Sequence, residues 1–229
     1  MNEILILDSY LDEIGAWRNF VDLIPGRAHR AVRVAREKPP RNLVGFAGML
    51  LTGSAASAVD GEPWLDRVYD LIRDAHERSL PTLGICFGHQ LIPHALFGEH
   101  AVRRSPTSEL GWLEIRITAD NPLVAGVPKR FPCFVSHFDE VTPGLPELDV
   151  FASSERCPVQ GYQVRGAPIW GLQFHPEMPL EESTNLVHSN TPRHTHITDP
   201  PEVTLSRAVS ARPIGLKLFE NFLRYAEPR

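Results

Sequence analysis

The side chain with the clearest chemical potential is Cys86, which lies in the stretch Thr-Leu-Gly-Ile-Cys-Phe-Gly-His-Gln at residues 82–90. Gly84 and Gly88 flank the cysteine at two residues on either side, where a short apolar run is expected to pass from strand to helix. This spacing is typical of a nucleophile elbow, a strained turn that lifts a reactive side chain clear of a sheet. The following helix would direct free N–H groups and its positive dipole end at the sulfur, which favours a thiolate nucleophile.

A histidine and a carboxylate follow later in the chain, at the end of another apolar run. The stretch Trp-Gly-Leu-Gln-Phe-His-Pro-Glu at residues 170–177 places His175 two residues before Glu177. A thiol needs a base that accepts its proton, and the base needs a partner that fixes its orientation. The sequence therefore predicts a catalytic triad of Cys86 as nucleophile, His175 as a general base that titrates near neutral pH, and Glu177 as the orienting group.

Four motifs together resemble the class I glutamine amidotransferases, and they stand in that family's order. They are Leu-Thr-Gly-Ser-Ala-Ala-Ser at 51–57, Gly-Ile-Cys-Phe-Gly-His-Gln at 84–90, Ser-His-Phe-Asp-Glu at 136–140 and Gly-Leu-Gln-Phe-His-Pro-Glu at 171–177. The resemblance extends from Ile4 to Met178. It implies a flavodoxin-like fold, a cysteine-dependent glutaminase activity and no cofactor.

The resemblance also implies how the remaining site residues contribute. Backbone N–H groups of Phe87 and of the loop residue Ser54 would form the oxyanion hole for the tetrahedral intermediate. Ser54 stands where the family usually has a second glycine, and serine adopts a positive φ less readily than glycine does. For glutamine binding, the resemblance points to Gly53, Gln90, Ser136, His137 and Phe138.

Three functions remain open at this point. The first is a glutaminase that forms a γ-glutamyl thioester and passes ammonia to an acceptor. We expect that acceptor site on a separate synthase chain, because 229 residues leave no room for a second catalytic domain. The second is a γ-glutamyl peptide or amide hydrolase with the same triad. The third is a homologue that binds a γ-glutamyl ligand or a partner without turnover, and Ser54 is the argument for it.

The composition of the chain indicates which kinds of partner and which cellular compartment to expect. A net charge of −5 gives no basic footprint for nucleic acid, and no apolar run approaches the roughly 18 residues of a membrane helix. The N-terminus carries no signal-peptide pattern. Three scattered cysteines, Cys86, Cys133 and Cys157, argue against a disulfide framework. We therefore expect a cytoplasmic protein with neither a nucleic-acid nor a membrane partner.

The order of the predicted elements favours an α/β fold. Apolar runs predict strands at 3–8, 29–35, 43–51 and 80–86, and helical spacing predicts helices at 10–24, after Pro63, at 90–97 and near the C-terminus. Beyond residue 98 the pattern changes to short antiparallel strands. We expect a mainly parallel, flavodoxin-like sheet with helices on both faces and an antiparallel extension, in a single domain over residues 1–229.

The stretch 181–212 differs from the rest of the chain because it is polar and loop-like. We interpret it as a variable insertion that begins with a helix at 181–189 and precedes the closing helix. It contains His188, His194 and His196, but no carboxylate or cysteine completes a metal site at suitable spacing. We therefore expect no bound metal.

Overall fold

One nine-stranded sheet runs through the part of the chain that the computed structural model describes, residues 3–194 and 200–227. The strands are β1 (Glu3–Asp8), β2 (His29–Arg33), β3 (Phe46–Leu51), β4 (Thr82–Ile85), β5 (Val102–Ile117), β6 (Arg130–Val141), β7 (Leu148–Ser153), β8 (Gly161–Val164) and β9 (Ile169–Leu172). The helices are α1 (Trp17–Val21), α2 (Leu65–Glu77), α3 (Phe87–Phe97), α4 (Leu180–Asn190), α5 (Pro201–Leu205) and α6 (Arg212–Tyr225). Short 3₁₀ turns lie at Glu99–Ala101, Pro122–Val124 and Thr191–Arg193.

The sheet has a parallel half and an antiparallel half. Its strand order is β2-β1-β3-β4-β9-β8-β7-β5-β6. Strands β2, β1, β3, β4 and β9 are parallel, and the remaining four pair antiparallel. This is the predicted α/β architecture with its antiparallel extension.

Helices cover both faces of the parallel half. On one face α2 and α3 pack against the sheet, and on the other α1 and α6 do. The apolar residues of α2 recur at helical spacing and form its buried face, consisting of Leu65, Val68, Leu71, Ile72 and Ala75. In α6, by contrast, Leu216 is 42% exposed although it shares the helical spacing of its buried neighbours.

The junction between β4 and α3 explains the two glycines around Cys86. A Cβ atom on Gly84 would overlap the carbonyl of Gly88, and one on Gly88 would lie 2.5 Å from the Cβ of Leu51. Glycine at both positions therefore lets α3 begin directly on top of the strands. The helix starts at Phe87, three residues before the predicted start at 90, so Cys86 is its N-cap.

Pro93 lies in the middle of α3, because the helix begins three residues before the predicted start at 90. Proline has no N–H group to bond the carbonyl four residues earlier, which here belongs to His89. The hydroxyl of Tyr162 donates a hydrogen bond of 2.6 Å to that carbonyl. A side chain from β8 thus replaces the missing helical bond.

The predicted helix over residues 10–24 is wrong for its first half, because α1 begins only at residue 17. Backbone N–H groups in the preceding loop bond instead to the carboxylates of Asp8 and Asp12. Gly15 in this loop has φ +74°. Such local side-chain bonds compete with a helix. The loop that results carries Tyr10 towards the end of β4.

The edge strand β6 returns to the parallel half of the sheet. The N–H of His175, just after β9, donates 2.8 Å to the carbonyl of Phe134. The side-chain amide of Gln90 in α3 donates 2.8 Å to the carbonyl of Asp139. These two bonds tie β6 to the ends of β9 and β4, so the antiparallel extension curls around one cavity.

The predicted helix at 181–189 is present as α4, and a 3₁₀ turn and the short α5 follow it. Val187 of α4 packs with Leu110 and Trp112 of β5 over the antiparallel half. His196 lies outside the described residues. Within residues 3–194 and 200–227, no helix has both the length and the apolar character needed to span a membrane.

Candidate active site

A cavity of about 730 Å³ opens where the loops after β1, β3, β4 and β9 meet. These loops contribute Tyr10, Ser54, Cys86 and His175 to its wall. The carboxyl ends of parallel strands are where open α/β sheets bind their ligands. The cavity therefore lies where the fold itself favours a site, and it contains the predicted nucleophile.

Cys86 occupies a strained backbone conformation, with φ 52° and ψ −102°. Within the described residues, only Ser79 shares a positive φ among the non-glycine positions. Such strain costs on the order of 1–3 kcal/mol and persists where surrounding structure enforces it. The N–H of Cys86 donates 2.7 Å to the carbonyl of Leu172, and its thiol lies 3.6 Å from the carbonyl of Ser136. This is the geometry of a nucleophile elbow with a cysteine.

His175 and Glu177 form a buried pair beside the thiol. The Nδ1 atom of His175 lies 2.8 Å from Oε1 of Glu177, and the two side chains are 4% and 2% exposed. Cys86 lies next to the imidazole, since a Cβ atom on Gly53 would lie within 3.7 Å of both side chains. The structure thus brings the three residues of the predicted triad close together.

Two negative neighbours determine the charge of His175. Burial, the largest single influence, lowers its pKa, but the charges of Glu177 and Cys86 and the hydrogen bonds with both raise it overall to about 10. The ring is therefore an imidazolium at neutral pH. The expectation of a base that titrates near neutral pH is corrected by this ion pairing. The imidazolium therefore holds a proton next to the sulfur before any substrate binds.

The loop after β3 does not need the glycine that Ser54 replaces. Neither Gly53 nor Ser54 has a positive φ. The Ser54 hydroxyl donates 2.7 Å to the carbonyl of Ser9 and accepts 3.0 Å from the N–H of Ala56. Serine at this position therefore fastens the loop to the chain after β1. The N–H of Phe87, the first residue of α3, is free of any intrahelical partner.

Gly53 sits where no larger residue fits without moving the triad. A Cβ atom there would lie 3.1 Å from Cε1 of His175 and 3.7 Å from Cβ of Cys86. It would also lie 3.5 Å from the ring of Tyr10. The bare backbone of Gly53 thus lets the imidazole approach the sulfur.

The residues predicted to bind glutamine also line the cavity: Gln90, Ser136, His137 and Phe138. The amide nitrogen of Gln90 is already engaged, since it donates to the carbonyl of Asp139 and to Gln173. Side chains alternate along β6, so Ser136 and Phe138 share one face and His137 turns the other way. Its ring enters a buried network instead of the cavity.

That network is a second cluster of cysteine, histidine and glutamate, which the spacing of residues along the chain did not reveal. Ligand-type atoms of Glu109, His137 and Cys157 lie within 4.8 Å of one another. The Glu109 carboxylate accepts hydrogen bonds of 2.6 Å from both Ser154 and Gln160, and it lies 2.9 Å from Nε2 of His137. The other ring nitrogen faces the Asp139 carbonyl at 3.0 Å. Both nitrogens of the ring therefore lie within hydrogen-bond distance of an oxygen atom.

The second cluster does not fit a metal ion, although cysteine, histidine and glutamate are all zinc ligands. Its carboxylate is already saturated by three hydrogen-bond partners. Burial, with the charge of Glu109, raises the pKa of the Cys157 thiol, so that the thiolate does not form at neutral pH. Of the histidines in the stretch 181–212, His188 is exposed and His194 is buried.

Two further residues of the cavity wall were missed because nothing in their spacing marks them. Tyr10 was assigned to a helix, but its phenol lies in the cavity. Burial first, and then the charges of Glu177 and Cys86, raises the pKa of Tyr10. Arg193, at the end of the turn after α4, also lines the cavity. The stretch 181–212 therefore contributes directly to the candidate site.

Comparisons with known proteins agree with this geometry. A family model described as glutamine amidotransferase class-I matches residues 31–191. A subunit of the glutamine-hydrolyzing GMP synthase of Methanocaldococcus jannaschii is 35% identical over 132 residues, which cover 58% of this chain and 69% of that protein. The protein of the same name from Pyrococcus furiosus is 38% identical over 112 residues, covering 49% of this chain and 58% of that protein.

Solved structures share the fold over nearly the whole chain. A glutamine amidotransferase from Thermotoga maritima has a TM-score of 0.79 at 22% identity, with all of both chains covered. One from Methylobacillus flagellatus has a TM-score of 0.80 at 21% identity, covering 99% of this chain and 96% of that one. At this level of identity the likeness concerns the fold alone, and it confirms the predicted flavodoxin-like class.

Proposed function

The chain belongs to the class I glutamine amidotransferase family, and from that premise we propose that Cys86, His175 and Glu177 are its catalytic triad. A member of this family is a cysteine-dependent glutamine amidotransferase. One observation carries the assignment to these residues: Nδ1 of His175 lies 2.8 Å from Glu177, and the same ring lies beside Cys86 at a strained helix N-cap.

The first half-reaction uses the ion pair between Cys86 and His175. The thiolate attacks the carbon of the substrate's γ-carboxamide, and a C–S bond forms as the carbonyl becomes an oxyanion. The N–H groups of Phe87 and Ser54 stabilise that oxyanion. The His175 imidazolium then gives its proton to the leaving nitrogen, the C–N bond breaks, and ammonia departs from a γ-glutamyl thioester.

The second half-reaction restores the enzyme. Neutral His175, held in orientation by Glu177, takes a proton from water as the water attacks the thioester carbon. Collapse breaks the C–S bond and releases glutamate, and Cys86 returns as the thiolate beside the imidazolium. The sum is glutamine plus water giving glutamate plus ammonia, with no cofactor.

The ammonia is consumed on another polypeptide in this proposal. Two of the similar proteins are named as subunits of a glutamine-hydrolyzing GMP synthase. The alignments cover 69% and 58% of those proteins, so their acceptor chemistry is carried over here only as a proposal. We infer that a synthase chain docks near the cavity and receives the ammonia.

A γ-glutamyl peptide or amide hydrolase is the second candidate, and the size of the cavity favours it. At about 730 Å³ the cavity falls in the range of about 300–1,000 Å³ that holds drug-sized ligands. Asn190 and Arg193 add a wall to it that the triad itself does not need. Both enzymes share the same thioester, so they differ only in the amine that leaves. The third candidate, a non-catalytic homologue, loses support because Ser54 has an ordinary φ.

We extend the proposal to the whole chain. One continuous sheet supports a single domain over residues 1–229 with 181–212 as its insertion. Three unpaired cysteines support a reducing compartment such as the cytoplasm.

Ammonia release tests the proposal. Wild-type protein is assayed with glutamine and with γ-glutamyl peptides, beside Cys86→Ala and the matched control Cys133→Ala. The proposal expects hydrolysis in the wild type and control and none in Cys86→Ala. Retained hydrolysis in Cys86→Ala would overturn the triad, and a preference for peptides would select the second candidate.

A further inference from the structure

Arg193 is a cation in the wall of the cavity. Among the described residues, no carboxylate oxygen lies within ion-pair distance of its guanidinium. Its side chain instead lies over the ring of Phe138, with the guanidinium carbon 5.0 Å from the ring centre. An arginine held this way keeps its hydrogen-bond donors available to a ligand.

The other arginine of the cavity is fully used. Arg104 bonds Asp60 at 2.6 Å and Asp139 at 2.9 Å. Its charge is therefore balanced before any substrate arrives. Arg193 is left as the cation in this wall that can pair with a negatively charged group of a ligand.

The position of Arg193 relative to the sulfur matches the length of a glutamyl chain. Phe138 and Ser136 lie on the same face of β6, about 6.7 Å apart along the strand. The Ser136 carbonyl is 3.6 Å from Sγ of Cys86. A substrate with its γ-carboxamide carbon at the sulfur, extended along this face, brings its α-carbon end to Phe138 and to the guanidinium above it.

The turn that carries Arg193 is held in place by its neighbours. Asn190, at the end of α4, donates 3.1 Å to the hydroxyl of Ser136. The ring of His194 stacks on Phe138 with 4.0 Å between centroids. Ser136 and Phe138 of β6 thus hold the two ends of the turn, which fixes the guanidinium over β6.

We propose that Arg193 binds the free α-carboxylate of the γ-glutamyl substrate and thereby selects for that substrate class. The inference rests on the proposed function and deepens it. Glutamine and γ-glutamyl conjugates both carry this carboxylate, and they differ on the other side of the scissile bond. Arg193 therefore recognises the acyl half of the substrate, and the choice of leaving amine is made elsewhere in the cavity.

The test is the rate at which Cys86 is alkylated by a diazo-ketone analogue of glutamine, because this needs no synthase partner. The analogue is used in two forms, one with a free α-carboxylate and one with an α-carboxamide. The proteins are wild type, Arg193→Gln, Arg193→Lys and the control Arg18→Gln. Arg18 is the matched control because its guanidinium also lies over an aromatic ring, that of Trp17, at 5.1 Å.

Arg193→Gln is expected to slow alkylation by the carboxylate form about tenfold and alkylation by the carboxamide form less than about twofold. Arg193→Lys restores part of the rate, and Arg18→Gln leaves both rates at the wild-type level. Glutamine and a γ-glutamyl peptide, added as competitors, show which source protects Cys86 better.

Two results overturn the inference while leaving the proposed function intact. In one, Arg193→Gln slows neither form. In the other, it slows both forms equally, which is a structural effect. If neither form alkylates Cys86 in the wild type, the proposed function itself fails, and the carboxylate site fails with it.

Discussion

The chain holds two clusters of cysteine, histidine and glutamate, and they behave in opposite ways. Cys86 and His175 line an open cavity, and Glu177 is buried behind His175. Glu109, His137 and Cys157 are buried together behind β6. The same three residue types therefore do not by themselves define a site.

The difference lies in what surrounds each thiol and each carboxylate. Cys86 stands at a helix N-terminus beside an imidazolium, whereas burial raises the pKa of the Cys157 thiol and keeps it protonated. Glu177 leaves Oε2 without a protein partner in the described structure, while Glu109 has three. The first cluster is suited to react with a ligand, whereas the second contributes to the stability of the fold.

Replacing the cysteine of each cluster tests the comparison with the largest expected difference in effect. Cys86→Ala removes the only nucleophile in the proposal, so kcat/KM for glutamine is expected to fall by at least about 10⁴-fold. Cys157→Ala removes a buried atom far from the reacting carbon and should lower stability by about 1 kcal/mol. Ammonia release and urea unfolding measure the two effects. Equal loss of activity in both variants would contradict the division of roles.

Replacing the two glutamates separates chemistry from stability. Glu177→Gln keeps the shape but removes the charge that orients His175, and kcat is expected to fall by about 10²–10⁴-fold. Glu109→Gln disrupts a buried hydrogen-bonded pair and is expected to cost about 3–5 kcal/mol of unfolding free energy. If Glu109→Gln leaves unfolding unchanged but abolishes kcat, the second cluster belongs to the catalytic site.

Substitutions at Gly53 and Ser54 test how the loop after β3 supports the first cluster. Gly53→Ala pushes Cε1 of His175, which would lie 3.1 Å from the new Cβ, and kcat is expected to drop by about 10²-fold. Ser54→Gly removes two hydrogen bonds but keeps the backbone donor, so its cost is about 1 kcal/mol of stability with kcat within about threefold. A larger kcat loss for Ser54→Gly would show that the serine hydroxyl itself takes part.

The pKa of His175 determines in which direction glutamine hydrolysis changes with pH. Burial lowers its pKa, but Glu177 and Cys86 outweigh burial and raise the pKa from the ordinary 6.5 to about 10. Glutamine hydrolysis should therefore persist through neutral pH and fall as the imidazolium deprotonates near pH 10. The stabilisation from this ion pairing is fully present below pH 6.5 and is lost as the pH rises through 10.

A pH–rate profile of wild type and Glu177→Gln checks this. The variant should move the alkaline limb to lower pH because one of the two negative neighbours is gone. An alkaline limb that stays in place in the variant would mean that another group controls it.

The sequence could predict the fold class, and it could single out the candidate triad residues, because both depend on local patterns. The elbow glycines around Cys86 and the His-Pro-Glu run after β9 are readable from spacing alone. The order of strands and helices is readable as well. The structure has the parallel half, the antiparallel extension and the buried face of α2 as expected.

Other features could not be read because they depend on individual side-chain contacts that the spacing of residues does not specify. The spacing of Leu11, Ile14 and Trp17 predicts a helix, but the carboxylates of Asp8 and Asp12 bind the backbone there and leave Ile14 70% exposed. Glu109 is one acidic residue in a strand until Ser154, Gln160 and His137 converge on it. Arg193 acquires its role only from the turn that places it over Phe138.

The most direct test of the central claim is a peptide map of the protein after reaction with the diazo-ketone analogue of glutamine, with and without glutamine present. The account predicts one adduct per chain, on the peptide that carries Cys86. Glutamine should prevent that adduct, and the peptides with Cys133 and Cys157 should stay unmodified. An adduct on Cys157, or a reaction at Cys86 that glutamine does not slow, would contradict it.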